Sequence, residues 1–219
     1  MLEIVFQHTD FYVFNKPTGL SFHSEQCAGF VVIAERQVNE KLFSVHRLDK
    51  VTSGLIILAR HSEAAAQLTE LFASHLINKF YLALSDKKPK KKQGWVKGDM
   101  AKSRRSAYKL LKTHNNPAIT RFYSLACSNG LRGFLLKPYS GKTHQLRVAL
   151  KSLSAPILGD SLYGGTLSDR TYLHAYALEF TWQNQCIQLV CKPDVGDQYT
   201  ALDWQQTLFP WVEPWLLDW

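Results

Sequence analysis

The chain has 219 residues, of which 46% are hydrophobic and 12% aromatic, enough apolar material to bury a core and to exclude a disordered chain. Lys and Arg number 26 against 18 Asp and Glu, a formal net charge of +8, so a polyanion such as nucleic acid is the leading partner class on charge alone. The start, MLEIVFQHTD, has no basic segment leading into an apolar one, and no apolar run reaches the roughly 20 residues of a membrane helix, so a soluble, cytoplasmic monomer with no membrane partner is expected.

Residues 2–6 and 11–15 read as short strands around the turn His8-Thr9-Asp10. Asn15-Lys16-Pro17-Thr18-Gly19 breaks that pattern, because proline and glycine punctuate. Residues 30–41 carry their apolar positions on one helical face. The polar stretch SVHRLDKVTSG follows, then GLIILA at 54–59, a continuous apolar run that predicts a strand buried on both faces. Ser62 is the expected N-cap of the helix SEAAAQLTELFASH, and KFYLAL at 79–84 reads as a strand. The charge run KKPKKK at 87–92 is a solvated loop that is also placed to touch phosphates.

Between 95 and 137 the strands WVKG, SAYKLLK, AITRFYSLAC and LRGFLLK alternate with turns at Asn115-Asn116-Pro117 and Ser128-Asn129-Gly130. The period then changes: KTHQLRVALKSLS is helical, with Leu146, Leu150 and Leu153 on one face. A glycine-rich loop spans 157–165, and TYLHAYALEFTW and CIQLVCKP form two last strands joined at Gln183-Asn184-Gln185. The Trp-rich end, ALDWQQTLFPWVEPWLLDW, is expected to cover the core with a short helix. These elements predict a single α+β domain over 1–219, a mainly antiparallel mixed sheet with flanking helices, and the chain contains neither GxGxxG nor a P-loop. Cys27, Cys127, Cys186 and Cys191 lack paired zinc-type spacing and read as buried, reduced thiols.

His46-Arg47-Leu48-Asp49 is the sharpest chemical feature. A carboxylate on a loop entering a buried strand suits a nucleophile. The same four residues also fit a purely structural Arg–Asp bracket, and on the local pattern both readings stand. Tyr81 likewise offers a flat face for a base or a core aromatic. Arg147 lies among Leu146, Val148 and Leu150, so its guanidinium needs an anion. His144 reads as a structural residue that holds a loop. The eight histidines are scattered and include no HExxH, and no metal or other cofactor is expected.

Five segments, in order, resemble the RluA-type pseudouridine synthase family: NKPTGL, HRLDKVTSGLIILAR, KFYLAL, GKTHQLR with the PILGDSLYGG that follows, and the late LHA at 173–175. The resemblance spans roughly residues 11–180 and implies the pseudouridine synthase catalytic fold and isomerisation of a uridine in ribosomal or transfer RNA. It implies Asp49 as the catalytic aspartate, Tyr81 as the tyrosine that packs on the target base, and Arg147 as the basic partner of Asp49. Arg47 would hold the target nucleotide out of its stack, and Leu146 would line the pocket wall. The chain departs from the family at Ala149, where relatives often carry histidine, and it begins almost at the catalytic domain, which implies a short form without the extra N-terminal RNA-binding domain. A non-catalytic RNA binder and a metal-dependent nuclease are the rival classes.

Overall fold

The structure, a computed structural model, describes residues 1–24, 27–127, 130–200 and 209–219. In chain order its elements are β1 (Glu3–Gln7), β2 (Phe11–Lys16), α1 (Phe30–Val38), β3 (Phe43–Ser44), β4 (Ser53–Ala59), α2 (Ser62–Ala73), β5 (Asn78–Ser85), β6 (Gln93–Gly98), β7 (Met100–Lys102), β8 (Tyr108–Leu110), β9 (Ala118–Ala126), β10 (Arg132–Pro138), α3 (Gln145–Ser152), β11 (Leu173–Trp182), β12 (Gln185–Val190) and α4 (Asp197–Thr200). The chain divides into two compact units, Met1–Lys79 with His174–Pro193, and Phe80–Leu173 with Asp194–Trp219.

In the first unit every residue of β4 is buried, which accounts for the uninterrupted apolar run of its sequence. β2 lies antiparallel on one side of β4, with β1 outside it. On the other side β3 pairs with the far end of β4, while β11 runs parallel to its start, aligning His174 with Ser53 and Ala175 with Gly54. β12 then pairs antiparallel with β11, so this sheet is mixed, as expected. Phe11, Val13, Leu55, Ile57, Phe180 and Trp182 share a core with Ala64 and Leu68 of α2. Gln183 and Asn184 both take positive φ (48° and 64°), the two-residue turn that matches strand twist in a hairpin. The cap of α2 differs from expectation. His61, not Ser62, is the N-cap, and its Nδ1 accepts the Ala64 N–H at 3.3 Å, so a ring nitrogen takes the place of the hydroxyl.

The second unit holds an antiparallel sheet in the order β5-β10-β9-β6. α3 covers one face of it. SAYKLLK is a strand only over Tyr108–Leu110, because Arg105 and Ser106 take positive φ (55° and 60°) and fold β8 back onto β7. Gly98 precedes this hairpin at φ 159°, and a Cβ there would stand 2.2 Å from the Leu111 carbonyl oxygen. Of the Trp-rich end, residues 201–208 lie outside the described residues; beyond them are two short 3-10 turns, Phe209–Trp211 and Pro214–Leu216. Ser128 and Asn129 of the expected turn also lie outside the described residues.

Both units therefore set a few helices against β-sheet, the α+β class expected. The cysteine expectation needs correction: all four are free, but only Cys191 is buried, while Cys27 and Cys186 are exposed. Both exposed thiols sit where the chain turns or reaches a sheet edge, so no packing covers them. No helix among the described residues is long and apolar enough to cross a membrane.

Candidate active site

In the first unit, the loop that carries Asp49 is held by its own backbone carbonyls. Lys16, completely buried, donates from Nζ to the carbonyls of Pro17, Lys50 and Thr52 at 2.9, 3.3 and 2.8 Å. The Thr18 hydroxyl donates to the Val51 carbonyl at 2.9 Å and the Gly19 N–H to that of Lys50 at 2.9 Å. The Thr52 N–H closes back on the Asp49 carbonyl at 3.0 Å. Every carbonyl from residue 49 to 52 thus accepts a hydrogen bond, mostly from the NKPTGL segment, which accounts for the appearance of those two segments together. On this fixed backbone Asp49 is half-buried and Arg47 is exposed.

The residues after Asp49 anchor the loop to the sheet. The Ser53 hydroxyl meets His174 Nδ1 at 2.7 Å, and His174 Nε2 meets the Cys191 carbonyl at 2.9 Å. A carbonyl can only accept, so Nε2 carries the proton and Nδ1 accepts from Ser53. Gly54 has φ 104°, and a Cβ there would lie 2.2 Å from the Ala175 carbonyl oxygen. Glycine is required because β11 passes directly against it.

His46 also proves structural. Its Nε2 accepts the Ile57 N–H at 2.9 Å, taking over the β4 ladder where β3 ends, and its ring stacks on Phe72 at 4.3 Å. Burial, with the Lys79 ammonium as a smaller cause, holds its pKa down at about 3 from an ordinary 6.5. The unfolded chain therefore binds the extra proton first, and the stability His46 contributes above about pH 6.5 is lost as pH falls toward 3. Its expected share of the slope is at most about 1.4 kcal/mol per pH unit. Urea midpoints measured across this range should fall less steeply for His46→Gln, which keeps an acceptor but does not titrate; an identical slope would show that His46 is not the titrating group.

In the second unit, Leu146 and Arg147 lie buried on α3. Arg147 meets an anion in Asp160: Nε donates to Oδ2 at 2.7 Å and Nη2 to Oδ1 at 2.8 Å, a bidentate fork. The guanidinium also lies over the Tyr163 ring, 4.9 Å from its centroid. The Tyr163 hydroxyl meets His144 Nδ1 at 2.9 Å and accepts the Tyr108 N–H at 3.0 Å, so His144 holds this loop, as expected. Asp160 is a carboxylate of the PILGDSLYGG segment that sequence reasoning passed over.

Gln145 is a second omission. Its Oε1 accepts from the Ser140 hydroxyl and the Lys142 N–H, and its Nε2 donates to the Ile119 carbonyl and Thr120 Oγ1, all between 2.8 and 3.0 Å. All four of its hydrogen-bonding positions are filled, which pins the start of α3 to β9. Half-buried Tyr81 aligns with Leu136, which aligns with Phe122, and Thr120 is on that same face, so Tyr81 projects to the face that α3 covers. Arg47 and Asp49 thus belong to the first unit, and Tyr81, Leu146 and Arg147 to the second.

Residues 10–152 match the family model described as RNA pseudouridylate synthase. The chain is similar to an uncharacterized RNA pseudouridine synthase of Haemophilus influenzae, 55% identical over 199 residues and covering 89% of each chain. It is also similar to tRNA pseudouridine synthase C of Vibrio parahaemolyticus, 31% identical over 249 residues, covering 97% of this chain and 96% of that one. Among solved structures it matches human RNA pseudouridylate synthase domain containing 4 with a TM-score of 0.73 and 27% identity, over 88% of both chains. These matches indicate an isomerase that acts on RNA. The chain belongs to the RNA pseudouridine synthases, in their RluA-type branch.

Proposed function

We propose that the protein, acting as a single catalytic domain, converts a uridine of ribosomal or transfer RNA to pseudouridine with Asp49 as its nucleophile. The observation that carries this reading is the clamped backbone of residues 49–52, which spends a buried lysine on holding one carboxylate-bearing loop. Precise placement is what a reacting group needs and what a surface bracket does not. In the reaction the N1–C1′ bond breaks, the base turns, and C5 bonds to C1′. The C5 proton goes to solvent and N1 gains one, so no water is consumed and no electrons are exchanged. One carboxylate serves whether it attacks C1′, attacks the base, or assists elimination through a glycal.

Tyr81 supplies the face against which the extruded uracil packs, and Leu146 part of the wall. Arg147, kept in one orientation by Asp160, is the basic residue that works with Asp49. Arg47, exposed beside it in the chain, holds the nucleotide out of its stack. The protein works as a cytoplasmic monomer. Pseudouridine mapping in RNA from cells lacking the protein tests the substrate: one or more ribosomal or transfer RNA positions should revert to uridine and be restored by the parent chain but not by Asp49→Asn. An unchanged map would contradict this assignment.

The lysine loop bears on affinity. Lys87, Lys88, Lys90, Lys91 and Lys92 are exposed around a buried Pro89, and Lys87 already pairs with Asp86 at 3.2 Å. Replacing Lys88, Lys90, Lys91 and Lys92 with serine should flatten the log–log salt dependence of RNA binding by up to about 0.7 per lysine that touches a phosphate. Titrations at several salt concentrations check this, and an unchanged slope would make the loop a solvated tether.

A further inference from the structure

The face of the second unit's sheet opposite Tyr81 carries a row of alternating rings and cations. Trp95, Arg121 and Lys137 align across β6, β9 and β10 in register. Their neighbours in sequence, Gly94, Phe122 and Leu136, form the row that continues to Tyr81, so the two rows project to opposite faces. Lys97 Nζ lies 4.6 Å from the centre of the Trp95 ring. The Arg121 guanidinium is 5.1 Å from Trp95 and 5.7 Å from Tyr123. Lys137 Nζ is 5.2 Å from Tyr139 and 5.5 Å from Trp219. The rings themselves approach in pairs, Trp95 with Tyr139 at 5.2 Å and Tyr123 with Trp219 at 5.1 Å.

This is not core packing. Trp95 is 42% exposed and Lys97 is exposed. Among the described residues, neither Lys97 nor Arg121 forms an ion pair with a carboxylate side chain. Arg121 donates from Nη2 to the Tyr123 hydroxyl and the Asp218 carbonyl, yet its buried Nε has no hydrogen-bond partner. Flat faces for stacking, interleaved with positive charges for phosphates, match single-stranded nucleic acid. A duplex offers the phosphates but hides the base faces, so the exposed indole would gain little from it.

We propose that this face is a stacking platform for an unpaired segment flanking the target uridine. The inference rests on the isomerase reading and extends it to the substrate: the RNA carries a single-stranded flank that turns over the β6 edge, away from the face of Tyr81. Phosphates lie along Lys97, Arg121 and Lys137, and bases stack on Trp95 and Tyr139.

A short labelled oligoadenylate tests this, because it contains no uridine to enter the catalytic pocket. Fluorescence anisotropy should show it binding the parent chain and Asp49→Asn equally. Trp95→Ala should weaken it at least about fivefold, the loss of one stacked base, while Trp95→Phe should retain most of the affinity. Trp95 is exposed enough for the alanine variant to fold, and a urea midpoint near the parent's verifies that. Oligoadenylate binding that is absent in the parent, or equal in parent and Trp95→Ala, overturns the platform. If that happens while the parent still releases tritium from 5-tritiated uridine in RNA, the platform alone has failed. If Trp95→Ala loses binding and the parent releases no tritium, the isomerase reading alone has failed.

Discussion

Asp49→Asn is expected to lower pseudouridine formation by at least about 10⁴-fold, the scale on which removing a nucleophile acts, while the dissociation constant for RNA stays close to the parent's. The two effects separate because the loop backbone is fixed through the carbonyls of residues 49–52. An amide of the same shape leaves that backbone in place and keeps the surface that binds RNA. Single-turnover assays with filter binding on the same samples check both halves. Turnover near the parent's rate would remove Asp49 from the chemistry, and lost binding would mean that the substitution disturbs the loop.

The second large effect belongs to Arg147 and Asp160. Their side chains are 6% and 1% exposed, and the fork between them is short on both arms. Removing Arg147 takes the cation from a buried carboxylate, and removing Asp160 takes away both arms of the fork, so Arg147→Met and Asp160→Asn should each cost about 3–5 kcal/mol of stability. The double variant should cost clearly less than the sum, since neither charge is left behind. Urea unfolding of the four proteins measures the coupling. Additive costs would contradict the pair. Activity should fall in Asp160→Asn as well, although Asp160 is no part of the proposed chemistry, because Arg147 loses the group that orients it.

Much of this was legible in the chain. The run GLIILA announces a strand buried on both faces because all seven residues of β4 are covered. The helical period after Gly141 announces α3, and the buried charge of Arg147 announces that an anion must be near. That Asp160 forks onto Arg147 was not legible, because Asp160 lies in an irregular loop where neither period marks a direction. Lys16 was hidden for a related reason. A lysine beside proline reads as surface, and only the folded chain shows three carbonyls converging on it. His46 and Ser53 sit within the most conspicuous segment and invite catalytic roles, yet their partners are a strand N–H and a histidine that closes on a carbonyl. The helix cap at His61 was missed because sequence rules favour the hydroxyl next to it. The platform around Trp95 depends on cross-strand register, which alternation along single strands does not reveal.

The most direct test of the central claim is tritium release from RNA containing 5-tritiated uridine, with purified protein, in the presence and absence of EDTA. Each uridine that becomes pseudouridine must lose its C5 hydrogen to water. Release by the parent chain should be unaffected by EDTA, and Asp49→Asn should release none. Release that EDTA abolishes, or that continues in Asp49→Asn, would contradict it.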